Sequence, residues 1–320
     1  MLIELCMLGP IELYVAGRAV ALGPPKRRAM LAALAMERDQ PVSLDRLSGA
    51  VWAGLPPRSA VANLRTHAAS LRRVLGDRIV AVSGGYRMRI DASEVDAYEF
   101  LQLAEEGRSA LRGDDPRTAA RCLTKALALW RAAAAGEGLP RGTCLDVQFA
   151  GLDQHRLNVF EDLVEARLAL AEHDEVLPAL RQHVARHPLR ERAWGHLMLA
   201  LYRAGDLAAA LQAYRGAGTT LHDELGVKPG PELAAMHRAM LERSPSLALR
   251  TDKPVAARTV VRLAASRSRR PGQRLGPDIF DLVGRAEALA AELGALAAAM
   301  QPTTGARQPR PNARSTMTSP

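Results

Sequence analysis

Residues 59–90, SAVANLRTHAASLRRVLGDRIVAVSGGYRMRI, decide the fold. Leu64, Ala68, Leu71 and Leu75 recur at spacings of four, three and four, which puts them on one stripe of a helix. Ser59 is read as the residue that caps this helix, and Gly76-Asp77 as its end. Ile79 and Ala81, then Ser83-Gly84-Gly85, then Tyr86, Met88 and Ile90 read as a two-stranded hairpin about a glycine turn. With the apolar stripe inward, the opposite face carries Ala62, Thr66, Ala69 and Arg73, flanked by Asn63 and Ser70 on one side and Arg65 on the other. A helix of this kind followed by a hairpin is the pattern of a recognition helix and its wing. DNA is therefore the first ligand to consider.

The chemistry of that face fits the major groove, where arginine pairs with guanine and asparagine with adenine. Asn63, Arg65, Thr66, Ser70 and Arg73 are the candidate base contacts. Arg27, Arg28 and Arg72, with Arg87 and Arg89 on the hairpin, are the candidates for the sugar-phosphate backbone, which positions a protein without reading sequence. A polar, arginine-bearing face on its own is most often merely solvated; the hairpin behind it and the segments ahead of it favour DNA. Tyr86 is read as a core residue of the wing. Gly84-Gly85 is a turn and not a phosphate cradle, since neither the lysine nor the helix of a P-loop follows.

Upstream, residues 2–22 alternate as short strands with turns at Gly9-Pro10 and Ala16-Gly17-Arg18. Pro24-Pro25 opens a helix in which Met30, Leu31, Leu34 and Ala35 share a face. Ser43 caps a second helix with Leu44, Leu47 and Val51 inward.

Downstream of Asp96 the pattern is helical to about Glu242. Breaks fall at Gly113-Asp114-Asp115-Pro116, around 136–142, at His187-Pro188, at Gly205-Asp206 and at Lys228-Pro229-Gly230-Pro231. Paired helices with short turns resemble helical repeats of the tetratricopeptide type. Trp194, Leu197, Leu201 and Tyr202 line one helix, and Leu207, Ala210, Leu211 and Tyr214 its partner. Residues 243–275 read as a basic linker, residues 280–300 as a possible short helix, and the last 20 as a disordered tail. The expected fold is thus mostly α with a small β component. A winged helix-turn-helix over 1–95 precedes an all-α tetratricopeptide-like domain over 96–242, with the linker and tail over 243–320.

Charge divides the same way. Residues 1–95 hold 13 Lys+Arg against 8 Asp+Glu, residues 96–242 hold 17 against 21, and residues 243–320 hold 13 against 5. A basic front suits a polyanion, whereas the acidic middle would bind DNA poorly. Cys6, Cys122 and Cys144 lie far apart with no CxxC pair, so neither a disulfide framework nor a zinc knuckle is expected. His183 and His187 sit four apart, as metal ligands on a helix do, but no third ligand accompanies them. They are read as exposed surface histidines. No metal, no cofactor and no catalytic residues are expected. No apolar run reaches 18 residues, and the chain is read as cytoplasmic and nucleoid-associated, with no membrane partner.

In combination, PPKRRAMLAALAM, VSLDRLSGAVW, NLRTHAASLRRVLG and GGYRMRI resemble the OmpR-type winged helix-turn-helix. VDAYEFLQLAEEG, HPLRERAWGHLMLALYRAGDLAAALQAYRGA and LHDELGVKPGPELAAMHRAML resemble the bacterial transcriptional activator domain that follows it in the SARP/AfsR-type antibiotic regulatory proteins. The resemblance covers about residues 2–242. Residues 132–151 fit it only loosely. It implies a pathway-specific activator of secondary metabolite biosynthesis that binds double-stranded DNA at direct repeats near promoters. The implied partners are RNA polymerase holoenzyme and a second copy of the chain, as a homodimer on DNA. The segment LGPDIFDLVGRAEALAAEL resembles the lead-in to an ATPase domain of larger family members, but no GxxxxGK[ST] follows. The alternative is a helical-repeat scaffold that regulates through protein or small-molecule contacts, with Trp194 and Tyr202 lining a groove instead of packing in the core.

Overall fold

The computed structural model describes residues 2–248. The helix expected over 280–300 and nearly all of the linker and tail lie outside the described residues.

The chain opens with a three-stranded antiparallel sheet in the order β1 (Ile3–Cys6), β2 (Glu12–Val15), β3 (Arg18–Val20). Helix α1 (Pro25–Met36) follows, with proline at its first position, where the missing N–H costs nothing. The sequence pattern gave α1 one apolar face. In the structure every residue from Ala29 to Met36 is buried, because the next two helices, the hairpin and Tyr98 surround it. The Tyr98 hydroxyl donates to the Met36 carbonyl at 2.9 Å and so satisfies an orphan acceptor at the helix end.

Strand β4 (Pro41–Ser43) leads into α2 (Leu44–Val51), whose N-cap Ser43 accepts from the Arg46 amide at 3.2 Å. Helix α3 (Ala60–Leu75) buries Leu64, Ala68, Leu71 and Leu75 as its spacing requires. Ser59 precedes α3 but its side chain makes no capping bond; its hydroxyl instead accepts from Asn63 Nδ2 at 3.4 Å. Gly76 closes α3 at φ +62, a conformation that disfavours any residue with a Cβ.

The wing, β5 (Ile79–Val82) and β6 (Gly85–Met88), departs from the expected two strands. β4 pairs with β6, giving a three-stranded sheet in the order β4, β6, β5. The fit depends on Gly85, where a Cβ would drive into the Val42 carbonyl.

Beyond α4 (Asp96–Arg112) the chain stacks helical hairpins: α5 (Pro116–Ala128), α6 (Leu145–Ala169), α7 (His173–Arg186), α8 (Glu191–Arg203), α9 (Leu207–Leu225) and α10 (Pro231–Leu241). Sequential helices pack on one another, and α8 also packs on α6 and α10. Two of the turns use the same chemistry. Asp115 accepts from the Thr118 amide at 3.0 Å and Asp206 from the Ala209 amide at 2.9 Å, each capping the helix it begins. Leu197, Leu201 and Ala210 are buried in the core of this half, with Trp194, Tyr202, Leu207, Leu211 and Tyr214 packed partly buried against it. The body also runs past residue 242. Leu247 is buried in this core, and its carbonyl accepts from Arg203 Nε at 3.1 Å.

Helical and winged parts are stitched together by residues 130–144, which overlap the loosely fitting stretch over 132–151. The Arg131, Gly136 and Glu137 amides donate to the Leu8, Met7 and Gly9 carbonyls at 2.9, 2.9 and 3.0 Å. From the other side the Asp96 carboxylate accepts from the Met7 and Leu8 amides at 2.7 and 3.0 Å. The Arg131 guanidinium bonds Glu12 and the Pro10 carbonyl and lies 3.6 Å from Asp96. Trp130 sits edge-on to Phe100, with the Arg156 guanidinium 4.6 Å above it.

Candidate nucleic-acid interface

Helix α3 has a rigid back and an open front. Its buried stripe is locked to α1 and α2, while Asn63, Arg65, Thr66 and Arg73 are exposed on the far side. The Thr66 hydroxyl donates to the Ala62 carbonyl at 3.1 Å, which ties the exposed side chain to the helix backbone. Exposed Ala62 and Ala69 leave the helix surface low enough for close approach to a groove.

Ser70 does not join this face. It is 7% exposed, and its hydroxyl accepts from Arg73 Nη2 at 3.0 Å. A helical wheel places it at the edge of the polar face, yet in the fold it is buried beneath the Arg73 side chain that bonds it. Its structural effect is to hold the Arg73 guanidinium.

Arg72, expected at the DNA backbone, is exposed and anchored through its Nε. Its Nε donates to the Ile79 carbonyl at 2.8 Å, and its guanidinium lies 5.6 Å from the Tyr86 ring centroid. It acts as a strut between α3 and the wing, and Tyr86 itself is buried. Arg89 is exposed and Arg87 half-buried, while the alternating Tyr86, Met88 and Ile90 are buried. Arg87 and Arg89 line a pocket of about 430 Å³ with Asp39, Arg78, Ile90 and Asp91. Arg78 is committed to Glu94 by two hydrogen bonds of 2.6 and 2.9 Å.

At the start of α1, Arg27 Nη1 reaches the Leu22 carbonyl at 3.4 Å, and Arg28 is its neighbour. Two further residues stand there that the sequence did not single out. The Lys26 ammonium lies 5.2 Å over the Trp52 ring, and His67 comes from α3 close enough to feel the charges of Arg27 and Lys26. The signal for Lys26 was its place beside two arginines; nothing in the linear pattern pointed to His67.

The histidine pair in the helical half is not the surface feature expected. His183 is 8% exposed and its Nε2 lies 3.1 Å from Glu161 Oε1, in a polar cluster that also holds Arg190, Asn158, Asp162 and Arg192. A histidine facing an inward carboxylate reads in sequence like any helical histidine. Among the described residues no group of His, Cys, Asp and Glu is arranged to hold a metal ion, and no helix is long and apolar enough to cross a membrane.

An open polar helix face, a wing and a stack of helical hairpins define the class: a winged-helix regulator with a helical effector half. The comparisons agree. A family model described as the bacterial transcriptional activator domain matches residues 95–241. Regulatory protein AfsR of Streptomyces griseus is 34% identical over 291 residues, covering 90% of this chain and 28% of that one. Transcriptional regulator RedD of Streptomyces coelicolor is 36% identical over 77% of this chain and 72% of that one. Regulatory protein DnrI of Streptomyces peucetius is 32% identical over 76% of this chain and 94% of that one. Among solved structures, Mycobacterium tuberculosis EmbR in complex with a low-affinity phosphopeptide superposes with a TM-score of 0.72 at 31% identity, over 76% of this chain and 66% of that one. The chain belongs to the SARP/AfsR-type family of transcriptional regulators.

Proposed function

We propose that this chain is a sequence-specific activator of transcription that regulates secondary metabolite (antibiotic) biosynthesis. In this reading it binds direct-repeat operators near promoters as a homodimer on DNA and recruits RNA polymerase holoenzyme. It works by binding and not by catalysis. The DNA-reading part is assigned to residues 1–95 and the effector part to residues 96–242. The observation that carries the reading is the front of α3, where Asn63, Arg65, Thr66 and Arg73 are exposed while its back is fixed in the core.

The roles divide by geometry. Asn63, Arg65, Thr66 and Arg73 are assigned to base edges, and Ser70 to the positioning of Arg73. Arg27, Arg28, Arg72, Arg87 and Arg89 are assigned to phosphates, with Arg72 also bracing the wing that carries Arg87 and Arg89. Arg73→Ala is expected to weaken operator binding by about 1–3 kcal/mol and to relax the preference at one base position, with little loss on random duplex. Titration of both duplexes checks it. Equal affinity of variant and wild type for the operator would remove Arg73 from the interface. A protein that binds no duplex in a salt-dependent way would favour the scaffold reading instead.

A further inference from the structure

Positive and protonatable groups crowd the start of α1 with no carboxylate to meet them among the described residues. Lys26, Arg27 and Arg28 fall in its first turn, which carries no acidic residue. His67 faces them from α3. Burial, then the charges of Arg27 and Lys26, hold its imidazole below the ordinary histidine range, and no carboxylate offsets them. Arg27 Nε, Arg28 Nε and His67 Nδ1 are each shielded from solvent without a hydrogen-bond partner among the described residues. Lys26 is held in place by its contact with Trp52, at the end of α2.

This arrangement works against the isolated fold. The N-terminal end of a helix carries partial positive charge and is stabilised by acids, not by three cations. Like charges this close repel, and solvent-shielded donors without partners cost more than exposed ones. Where arginines are packed into the fold elsewhere, some are met by carboxylates, as with Arg78 and Glu94 or Arg190 and Glu161. An anion arriving with the ligand of α3 would relieve this charge.

We propose that Lys26 and His67 join Arg27 and Arg28 in one clamp for a phosphodiester group of the DNA strand flanking the groove that α3 enters. This rests on the reading of α3 as the recognition helix. The clamp is blind to sequence, and His67 takes up a proton as the phosphate arrives, since the phosphate charge opposes the field of Arg27 and Lys26.

The test uses the full chain, an operator selected from random duplexes, and an unrelated duplex. Lys26→Ala, and His67→Gln at about pH 6, are each expected to make the plot of log Kobs against log salt shallower by about 0.9, equally on both duplexes. Wild-type affinity should rise as pH falls from about 7.5 to about 5.5, and His67→Gln should flatten that rise. Lys26→Glu is the decisive variant, because the side chain is exposed and its replacement leaves the core intact. It should raise the thermal midpoint without DNA while weakening binding to both duplexes by roughly tenfold at low salt. A lowered midpoint with an unchanged salt slope would overturn the clamp. If wild type binds no duplex with salt dependence, the recognition-helix reading fails; if wild type binds and the variants keep its slope, only the clamp fails.

Discussion

The buried carboxylates of the helical half, Glu161 and Asp162, each hold arginines, whereas the arginines around the front of the winged half meet no carboxylate among the described residues. Arg108 and Arg192 both bond Asp162, at 2.9 and 2.6 Å, and Arg192 also bonds Glu165 at 2.7 Å. Arg190 bonds Glu161, which is 1% exposed. Around α3 and the wing, Arg65, Arg87 and Arg89, like Lys26, Arg27 and Arg28, form no ion pair among the described residues. The winged half does pair where pairing is structural: Arg46 meets Glu37 at the foot of α2, and Arg78 meets Glu94 behind the wing. The contrast is thus between charge that builds the fold and charge that the proposed function assigns to a polyanion. It separates the two uses of arginine more finely than net charge, since the acidic middle still contains 17 Lys+Arg.

The seam between the two parts gives the strongest test. By sequence a fragment ending at residue 95 is a finished winged helix. In the structure that fragment lacks Asp96, α4 and the strap over 130–137, which together cover β1 and its continuation. Leu5, Met7 and Leu8 are 0% exposed in the whole chain. Each fully buried side chain contributes about 1.5–3 kcal/mol, against a total stability of about 5–15 kcal/mol for a domain. The 1–95 fragment is therefore expected to melt more than about 15 °C below a 1–248 fragment, and to lose operator binding with its fold. Circular dichroism melts of the two decide it. Coincident midpoints would show that the strap is ornamental.

Next in size is the buried cluster at Glu161. Removing one member of a buried ionic group leaves the others uncompensated, so Glu161→Ala should cost about 3–5 kcal/mol. Burial pushes the Glu161 carboxyl up, but hydrogen bonds from His183 and Arg190 outweigh it and hold it down at about 2. A depressed folded value means stability that is complete above the ordinary 4.5 and is lost as pH falls toward 2. Denaturant midpoints of wild type should fall across that window, and those of Glu161→Ala should fall less steeply. Parallel pH curves would mean that the cluster does not carry the acid sensitivity of the helical half.

What could be read from sequence was whatever periodicity or turn chemistry encodes. The stripe of α3, the Ser43 cap and the Asp-capped turns of the helical half are local, and each stands where its residues put it. The strap could not be read, because its bonds join backbone to backbone between two irregular segments, and backbone amides carry no residue signature. β4 is three residues long with proline at its start, too short to alternate. Ser70 and His183 share one cause of misplacement: a helical wheel gives the direction of a side chain but not what covers it. Ser70 is buried and bonded by Arg73 one turn on. His183 points at a carboxylate 22 residues earlier in the chain.

The smallest expected effect sharpens the comparison from its weak end. Arg112 bonds Glu105 at 2.7 Å within α4, yet their side chains are 64% and 60% exposed. If pairing alone made a charge structural, this pair would matter as Glu161 and Arg190 do. Water screens exposed pairs, and ordering two long side chains offsets most of their attraction, so such pairs contribute about 0–1 kcal/mol. Arg112→Ala should therefore shift stability by less than about 0.5 kcal/mol, with that shift vanishing at high salt. It should also leave DNA binding unchanged, because Arg112 lies in the acidic half and already has a carboxylate. Denaturant melts at low and high salt, alongside duplex titration, measure both. A loss comparable to Glu161→Ala would mean that burial does not separate structural from incidental pairs in this half. A loss of DNA affinity would mean that partnered arginines also serve the polyanion, and the distinction between paired and unpaired charge would no longer mark the interface.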